Sequence, residues 1–207
     1  SGRADERSLN SEEVVADWVE RIRGQVERFV DFAGSNRAEI VNNLDWTAKL
    51  DVISFLRDVG KHFSVPIMLA KESVKARLEA GISFTEFSYM ILQSYDFLKL
   101  HEMHGCELQT GGSDQWGNIV TGIDLGRRMG TEQLFALTCP LLTTASGAKM
   151  GKTAQGAVWL NEDRLSAYDY WQYWRNTEDA DVGRFLRLFT ELPLMESQSS
   201  RLPLAAL

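Results

Sequence analysis

Residues 106–139 read CELQTGGSDQWGNIVTGIDLGRRMGTEQLFALTC, and the fold class turns on how that stretch divides. Cys106-Glu107-Leu108-Gln109-Thr110 reads as a strand, Gly111-Gly112 as a turn, and Ser113 as the cap of a helix running through Ile119, Ile123 and Leu125 to Gly130. Phe135-Ala136-Leu137-Thr138 reads as a second strand. Strand, helix and strand over this length predict a parallel crossover unit, with ligands beyond the carboxyl ends of the strands. The expected class is α/β with a partial parallel sheet.

Upstream, Ser83-Phe84-Thr85-Glu86 is a capping box that opens the longest predicted helix, 84–104, which Gly105 closes. Asn10-Ser11-Glu12-Glu13 is another, followed by Val14, Trp18, Ile22, Val26 and Phe29 at helical intervals up to Ala33-Gly34. A polar stretch, Asn42-Asn43-Leu44-Asp45-Trp46, leads to a helix over 50–63 with Asp51 near its start, and Pro66 is expected to end that helix or the loop beyond it. A short helix is expected at 71–80, stopped by Gly81. Downstream come a polar loop over 143–156, a strand or turn at Val158-Trp159-Leu160, a helix over 167–176 capped by Ser166, and a helix beginning at Asp181. The tail, 197–207, has no period and is expected to be disordered.

With 44% apolar and 25% charged residues, the 207-residue chain can bury a sizeable core, which excludes disorder as the default. No apolar run of about 18 residues exists to span a bilayer. The first residues, Ser1 to Arg7, have neither an initiator Met nor a signal-peptide layout and read as the middle of a longer protein. A net charge of −7 argues against a protein that blankets a polyanion. Cys106 and Cys139 are too few for a disulfide scaffold, and each is expected as a reduced, buried thiol in a cytoplasmic compartment. His101, Glu102, His104 and Cys106 sit near one another, but on a surface-facing turn they are not assigned a metal. Arg127 and Arg128 answer the dipole of the helix they end.

On the longest helix Tyr89, Gln93 and Asp96 stand at i, i+4 and i+7, which places them within roughly 60° of one another. Alone, such a polar stripe is a solvated edge. In Gln109-Thr110-Gly111-Gly112-Ser113-Asp114-Gln115-Trp116-Gly117-Asn118, however, glycines between strand and helix let a nucleotide approach the backbone, and Asp114 can accept from ribose hydroxyls. About 35 residues on, Ala148-Lys149-Met150-Gly151-Lys152-Thr153 sets two ammonium groups three residues apart with a hydroxyl beside the second. Such donors suit the charge that builds on phosphate oxygens as pyrophosphate leaves.

Together with Gly60-Lys61-His62-Phe63, Gly81-Ile82-Ser83-Phe84-Thr85-Glu86-Phe87 and Leu92-Gln93-Ser94-Tyr95-Asp96-Phe97, these strings resemble the bacterial and mitochondrial tyrosyl-tRNA synthetases over about residues 1–195. That class I family makes tyrosyl-adenylate from tyrosine and ATP and then esterifies tRNA. The resemblance implies a partial Rossmann-like parallel sheet with a largely helical connecting insertion. Residues 1–105 would form the helical region with the insertion and the pocket helix, and 106–160 the second half of the nucleotide-binding fold. Residues 161–196 would begin the anticodon-side helices. Carried over by position, Tyr89 and Gln93 surround the substrate ammonium and Asp96 accepts its phenolic hydroxyl, with Gln109, Gln115 and Asn43 completing the tyrosine side. A carboxylate left unpaired by phenylalanine costs on the order of a few kcal/mol, which gives specificity. Gly111, Gly112 and Asp114 hold ATP, and Lys149, Lys152 and Thr153 stabilise the departing pyrophosphate. ATP is a substrate accompanied by Mg2+, no prosthetic group is implied, and the 38–104 region implies a homodimer.

The family also carries a His-x-Gly-His motif that grips ATP, and none of His62, His101 and His104 has that spacing. The chain therefore reads as an internal fragment, without that N-terminal half and without the C-terminal RNA-binding domain, and inactive alone. Two alternatives stand beside a tyrosine-tRNA ligase: a non-catalytic ligand-binding or dimerising fragment, and a tryptophan-tRNA ligase, against which Tyr89, Gln93, Asp96 and Gly111 to Trp116 speak.

Overall fold

The computed structural model describes residues 10–71, 74–75, 78, 81–147, 150 and 158–193, and the chain divides into two compact units, Ser1–Cys139 and Pro140–Leu207. The Lys149, Lys152 and Thr153 string, the 197–207 tail and most of the helix expected at 71–80 lie outside the described residues. In the first unit the order is α1 (Glu12–Val26), α2 (Leu44–Thr47), α3 (Val52–Asp58), α4 (Val65–Leu69), α5 (Phe84–His104), β1 (Leu108–Gly112), α6 (Trp116–Met129) and β2 (Phe135–Cys139). The second unit holds α7 (Ala167–Arg175) and α8 (Asp179–Phe189).

The two strands pair in parallel, from Leu108 opposite Phe135 to Gly112 opposite Cys139, and α6 is the crossover between them. This is the α/β unit that the sequence predicts. Gly111 and Gly112 do not turn, however; they complete β1 opposite Thr138 and Cys139. The Ser113 side chain caps no helix, because Ser113–Gln115 form one 3₁₀ turn and α6 begins at Trp116.

Missing side chains let α6 sit close to its neighbours. A Cβ on Gly122 would lie 3.1 Å from Cδ1 and 3.2 Å from Cβ of Phe97, and one on Gly126 would lie 2.7 Å from Cδ1 of Leu134. Phe97 and Leu134 are buried and have no room to withdraw. α5 therefore lies along α6 through Phe97. Its ends are set locally: the Ser83 hydroxyl accepts from the Glu86 N–H at 3.3 Å, and Gly105, at φ 65°, turns the chain out. The core joins Tyr95 and Leu98 of α5 to Trp46 of α2, to Val59 just after α3 and to Leu125 of α6, with Phe55 meeting Tyr95 edge-on at 5.5 Å. A second cluster holds Met68, Val74 and Met90.

Several local expectations are corrected. α1 starts at the Ser11 cap but stops at Val26, because Asp31 diverts the chain: its carboxylate accepts from the Ala33 N–H at 2.8 Å and its carbonyl from the Ala38 N–H at 2.7 Å. The helix expected over 50–63 is α3, capped by Asp51, followed by a tighter turn at Gly60–His62 in which His62 and Phe63 bond three residues back. Of the two endings expected at Pro66, it marks the end of the loop and not of the helix: it sits in the first turn of α4, where its missing N–H is unneeded. α8 begins at Asp179, two residues before Asp181. Val158 to Leu160 form no strand. Cys139 is exposed because β2 alternates, placing it with the exposed Phe135 and Leu137, while Cys106 is half-buried.

In the second unit Trp174 is the centre of an aromatic cluster with Tyr173 at 5.3 Å, Phe185 at 6.0 Å and Phe189 at 5.1 Å between ring centroids. Trp174, Phe185 and Leu186 are the buried centre of this packing between two consecutive helices, whereas Tyr168 and Trp171 stay exposed.

Two predictions follow from α6 and α1. Replacing Gly122 by Val is expected to lower stability by about 1–3 kcal/mol through overpacking against Phe97, whereas Gly24→Ala in α1 raises it by about 0.5–1 kcal/mol. No atom beyond the helix's own backbone lies within 4 Å of a Cβ added at Gly24. Paired urea melts measure both. Asp124 of α6 accepts from Arg127 and Arg128 at 2.7 Å each, and the Arg127 bond first of all holds its carboxyl below the ordinary 3.8. That contribution is present above the ordinary value and is lost as pH falls through the lowered one, so Asp124→Asn should flatten the acid limb of a stability-against-pH curve below about pH 4.

Candidate functional site

The four-residue helix α2 exists because of its asparagines. Asn42 accepts from the Leu44 N–H through its side chain at 3.0 Å and from the Asp45 N–H through its carbonyl at 3.1 Å, while the Asn43 carbonyl accepts from the Thr47 hydroxyl at 2.8 Å. This bend delivers two donors to one carboxylate on α5. Trp46 Nε1 donates to Asp96 Oδ1 at 2.8 Å, and Asn43 Nδ2 donates to Asp96 Oδ2 at 3.1 Å. The Trp46 ring itself is buried among Val59, Tyr95, Leu98 and Leu125, so its donor is fixed by packing. Each carboxylate oxygen has one donor and a lone pair to spare, which suits an incoming hydroxyl.

One turn before Asp96, Gln93 presents a buried side-chain oxygen that has no donor. An acceptor in that condition has room for a donor, whether a water or an N–H of a ligand. Tyr89, a further turn back, is 58% exposed. The three share one face of α5, as their spacing predicts.

At the end of β1, Gly111 brings the strand against the first turns that follow. A Cβ there would lie 3.2 Å from Gln115 Cβ and 3.3 Å from Ile119 Cδ1. Gln115 accepts from Asn118 Nδ2 at 3.3 Å, Gln109 is half-buried in β1, and Asp114 is exposed in the 3₁₀ turn. Gly112 continues into that turn in an extended conformation. Among the described residues the structure joins Asn43 to Asp96 directly, whereas no hydrogen bond links Tyr89, Gln93 or Asp96 to the Gln109–Asn118 segment. Lys149, Lys152 and Thr153 lie outside the described residues.

Two participants escaped the sequence reading. Trp46 was legible only as part of a polar stretch, and nothing in its spacing announces a donor to residue 96. Lys71 donates to the Gly117 carbonyl at 3.0 Å and to the Thr121 hydroxyl, tying the segment after α4 to the first turns of α6. Burial of its ammonium lowers its pKa from the ordinary 10.5.

The tRNA synthetases class I (W and Y) family model matches residues 1–202. The chain belongs to that family. A tyrosine–tRNA ligase of Rhodopseudomonas palustris is 61% identical over 199 residues, covering 95% of this chain and 48% of the relative. One from Mesorhizobium japonicum is 62% identical over 201 residues, with the same coverage. This family member therefore spans about half the length of the curated relatives it matches. A solved C-terminally truncated mitochondrial tyrosyl-tRNA synthetase of Coccidioides posadasii superposes with a TM-score of 0.70 at 29% identity, over 92% of this chain and 58% of that one. The fold is thus the Rossmann-like one of a class I synthetase.

Replacing Trp46 by Phe keeps the ring in the core and removes the donor to Asp96. The expected loss is about 1.5–3 kcal/mol, the usual scale of a hydrogen bond to a charged group, measured by denaturant unfolding against wild type.

Proposed function

We propose that the protein is a tyrosine–tRNA ligase, and that this chain supplies the part of it that recognises tyrosine and releases pyrophosphate. The observation that carries the reading is the Asp96 carboxylate, oriented by the Trp46 and Asn43 donors and left with acceptor capacity on the face it shares with Gln93 and Tyr89. A phenolic hydroxyl donates to such a group and a phenyl ring cannot; an indole N–H can donate as well, so the choice of tyrosine over tryptophan rests on the names of the relatives. Gln93, with its unpaired buried oxygen, accepts from the substrate ammonium beside Tyr89, and Gln109, Gln115 and Asn43 complete the tyrosine side.

ATP enters as the second substrate, with Mg2+ accompanying it. Gly111 and Gly112 let its ribose and phosphates approach the backbone, Asp114 accepts from ribose hydroxyls, and Lys149, Lys152 and Thr153 neutralise charge on the leaving pyrophosphate. The acceptor of the activated tyrosine is tRNA-Tyr. The names of the relatives support this reading over that of a non-catalytic module. The exposed Val52, Ile53, Val65 and Ile67 of α3 and α4 support a homodimer through the connecting insertion. Among the described residues no helix is long and apolar enough to cross a membrane, and we assign the ligase to the cytoplasm.

The test is tyrosine-dependent exchange of pyrophosphate into ATP by the complete gene product. Asp96→Ala is expected to weaken tyrosine binding roughly 10–100-fold while leaving phenylalanine binding as weak as before, read by calorimetry. Tighter tryptophan than tyrosine binding by wild type would transfer the assignment to the tryptophan enzyme of the same family.

A further inference from the structure

Asp181 is the one described residue of the second unit whose carboxylate is withdrawn from solvent, at 3% exposure. Near the start of α8 a carboxylate gains from the helix dipole without being buried. Here it is turned inward onto a backbone N–H far away in sequence. Its Oδ2 accepts from the Ala145 N–H at 2.7 Å, and its Oδ1 accepts from Arg184 Nη2 at 3.0 Å, one turn along the same helix. Arg184 in turn lies 5.2 Å over the Phe185 ring, which holds the guanidinium in place.

Ala145 occupies a tight turn. The Gly147 N–H donates to the Thr144 carbonyl at 2.9 Å, the Thr144 and Ser146 hydroxyls are 2.8 Å apart, and Gly147 has φ 83°, which a side chain would strain. At its base the Met150 N–H donates to the Leu142 carbonyl at 2.8 Å. The segment 142–150 is therefore tied at its base by its own backbone and near its tip by Asp181 of α8. Lys149 precedes Met150 in sequence, and Lys152 follows it by two residues.

We infer that Asp181 is a positioning residue for the pyrophosphate-releasing step: it fixes the turn that leads into the Lys149–Thr153 string by gripping the Ala145 amide, and it touches no substrate. This rests on the ligase reading above. The buried charge is kept for geometry, since a neutral, apolar pair would fill the same space as well or better for stability. What an apolar pair cannot do is hold a backbone N–H in one direction.

The experiment uses the complete gene product. Asp181→Ala combined with Arg184→Leu removes the tether without stranding a guanidinium, and Asp181→Asn keeps a neutral acceptor for Ala145. The double variant is expected to lose about 10–100-fold in kcat for tyrosine-dependent pyrophosphate exchange, with KM for tyrosine unchanged and faster hydrogen exchange at the Ala145 amide. Asp181→Asn should lose roughly threefold, again in kcat only, and it decides the matter alone if the double variant does not fold. A kcat at the wild-type level in the folded variants overturns the inference, as does a KM for tyrosine that moves with kcat, which marks general damage. Wild type without tyrosine-dependent exchange would instead sink the ligase reading, and this inference with it.

Discussion

The first unit depends on one close approach, that of Phe97 to the bare backbone of Gly122. A parallel strand pair needs its crossover helix close to it, and here α6 also packs against α5. Both contacts are made where α6 has no side chain: Gly122 faces Phe97, and Gly126, one turn on, faces Leu134 as the chain enters β2. The spacing of four residues keeps both gaps on one stripe of the helix. With Phe97 fixed, its neighbour Asp96 is fixed as well, and it points away from the glycine stripe toward the donors of α2. The placement of the candidate binding carboxylate is thus a by-product of core packing one residue away.

That dependence explains which parts of the chain were legible before its structure. α5 was readable to the residue because its limits are local: a serine that accepts from an N–H three residues on, and a glycine that turns left-handed. β1, α6 and β2 were readable as a crossover because turn residues and apolar runs alternate on the right length scale. Pro66 left two endings open because one residue type has two local meanings, and only the hydrogen bonds after it tell a first turn from a stop. Gly111 and Gly112 misled because pairing to a distant strand, and not their own freedom, set their conformation.

The candidate site divides the same way. The stripe of Tyr89, Gln93 and Asp96 follows from helical period, and Asn43 came from family resemblance rather than from any rule of spacing. Trp46, Lys71 and Asp181 were invisible as partners because each makes its decisive bond to a residue 36 or more positions away. Sequence pattern reports contacts within a turn or two of helix; it does not report which remote amide a side chain will meet.

Asp96 and Asp181 show what those remote bonds have in common. The exposed ion pairs of this chain, such as Arg21 with Asp17 and Arg127 with Asp124, lie within one helical turn and contribute little individually. Asp96 and Asp181 instead receive donors from other segments: an indole and a carboxamide from α2 and the residue before it for Asp96, and a loop amide, beside Arg184 of its own helix, for Asp181. Such an arrangement costs desolvation that a nearby pair on the surface does not incur, and folding alone gives no reason to keep it. Its return is directional, because a carboxylate with a donor on each oxygen has one orientation. In the half-buried Asp96 that orientation leaves lone pairs within reach of a ligand hydroxyl; Asp181, at 3% exposure, is withdrawn from any ligand, and its orientation is exerted on backbone. That contrast underlies the proposals that the first recognises and the second holds.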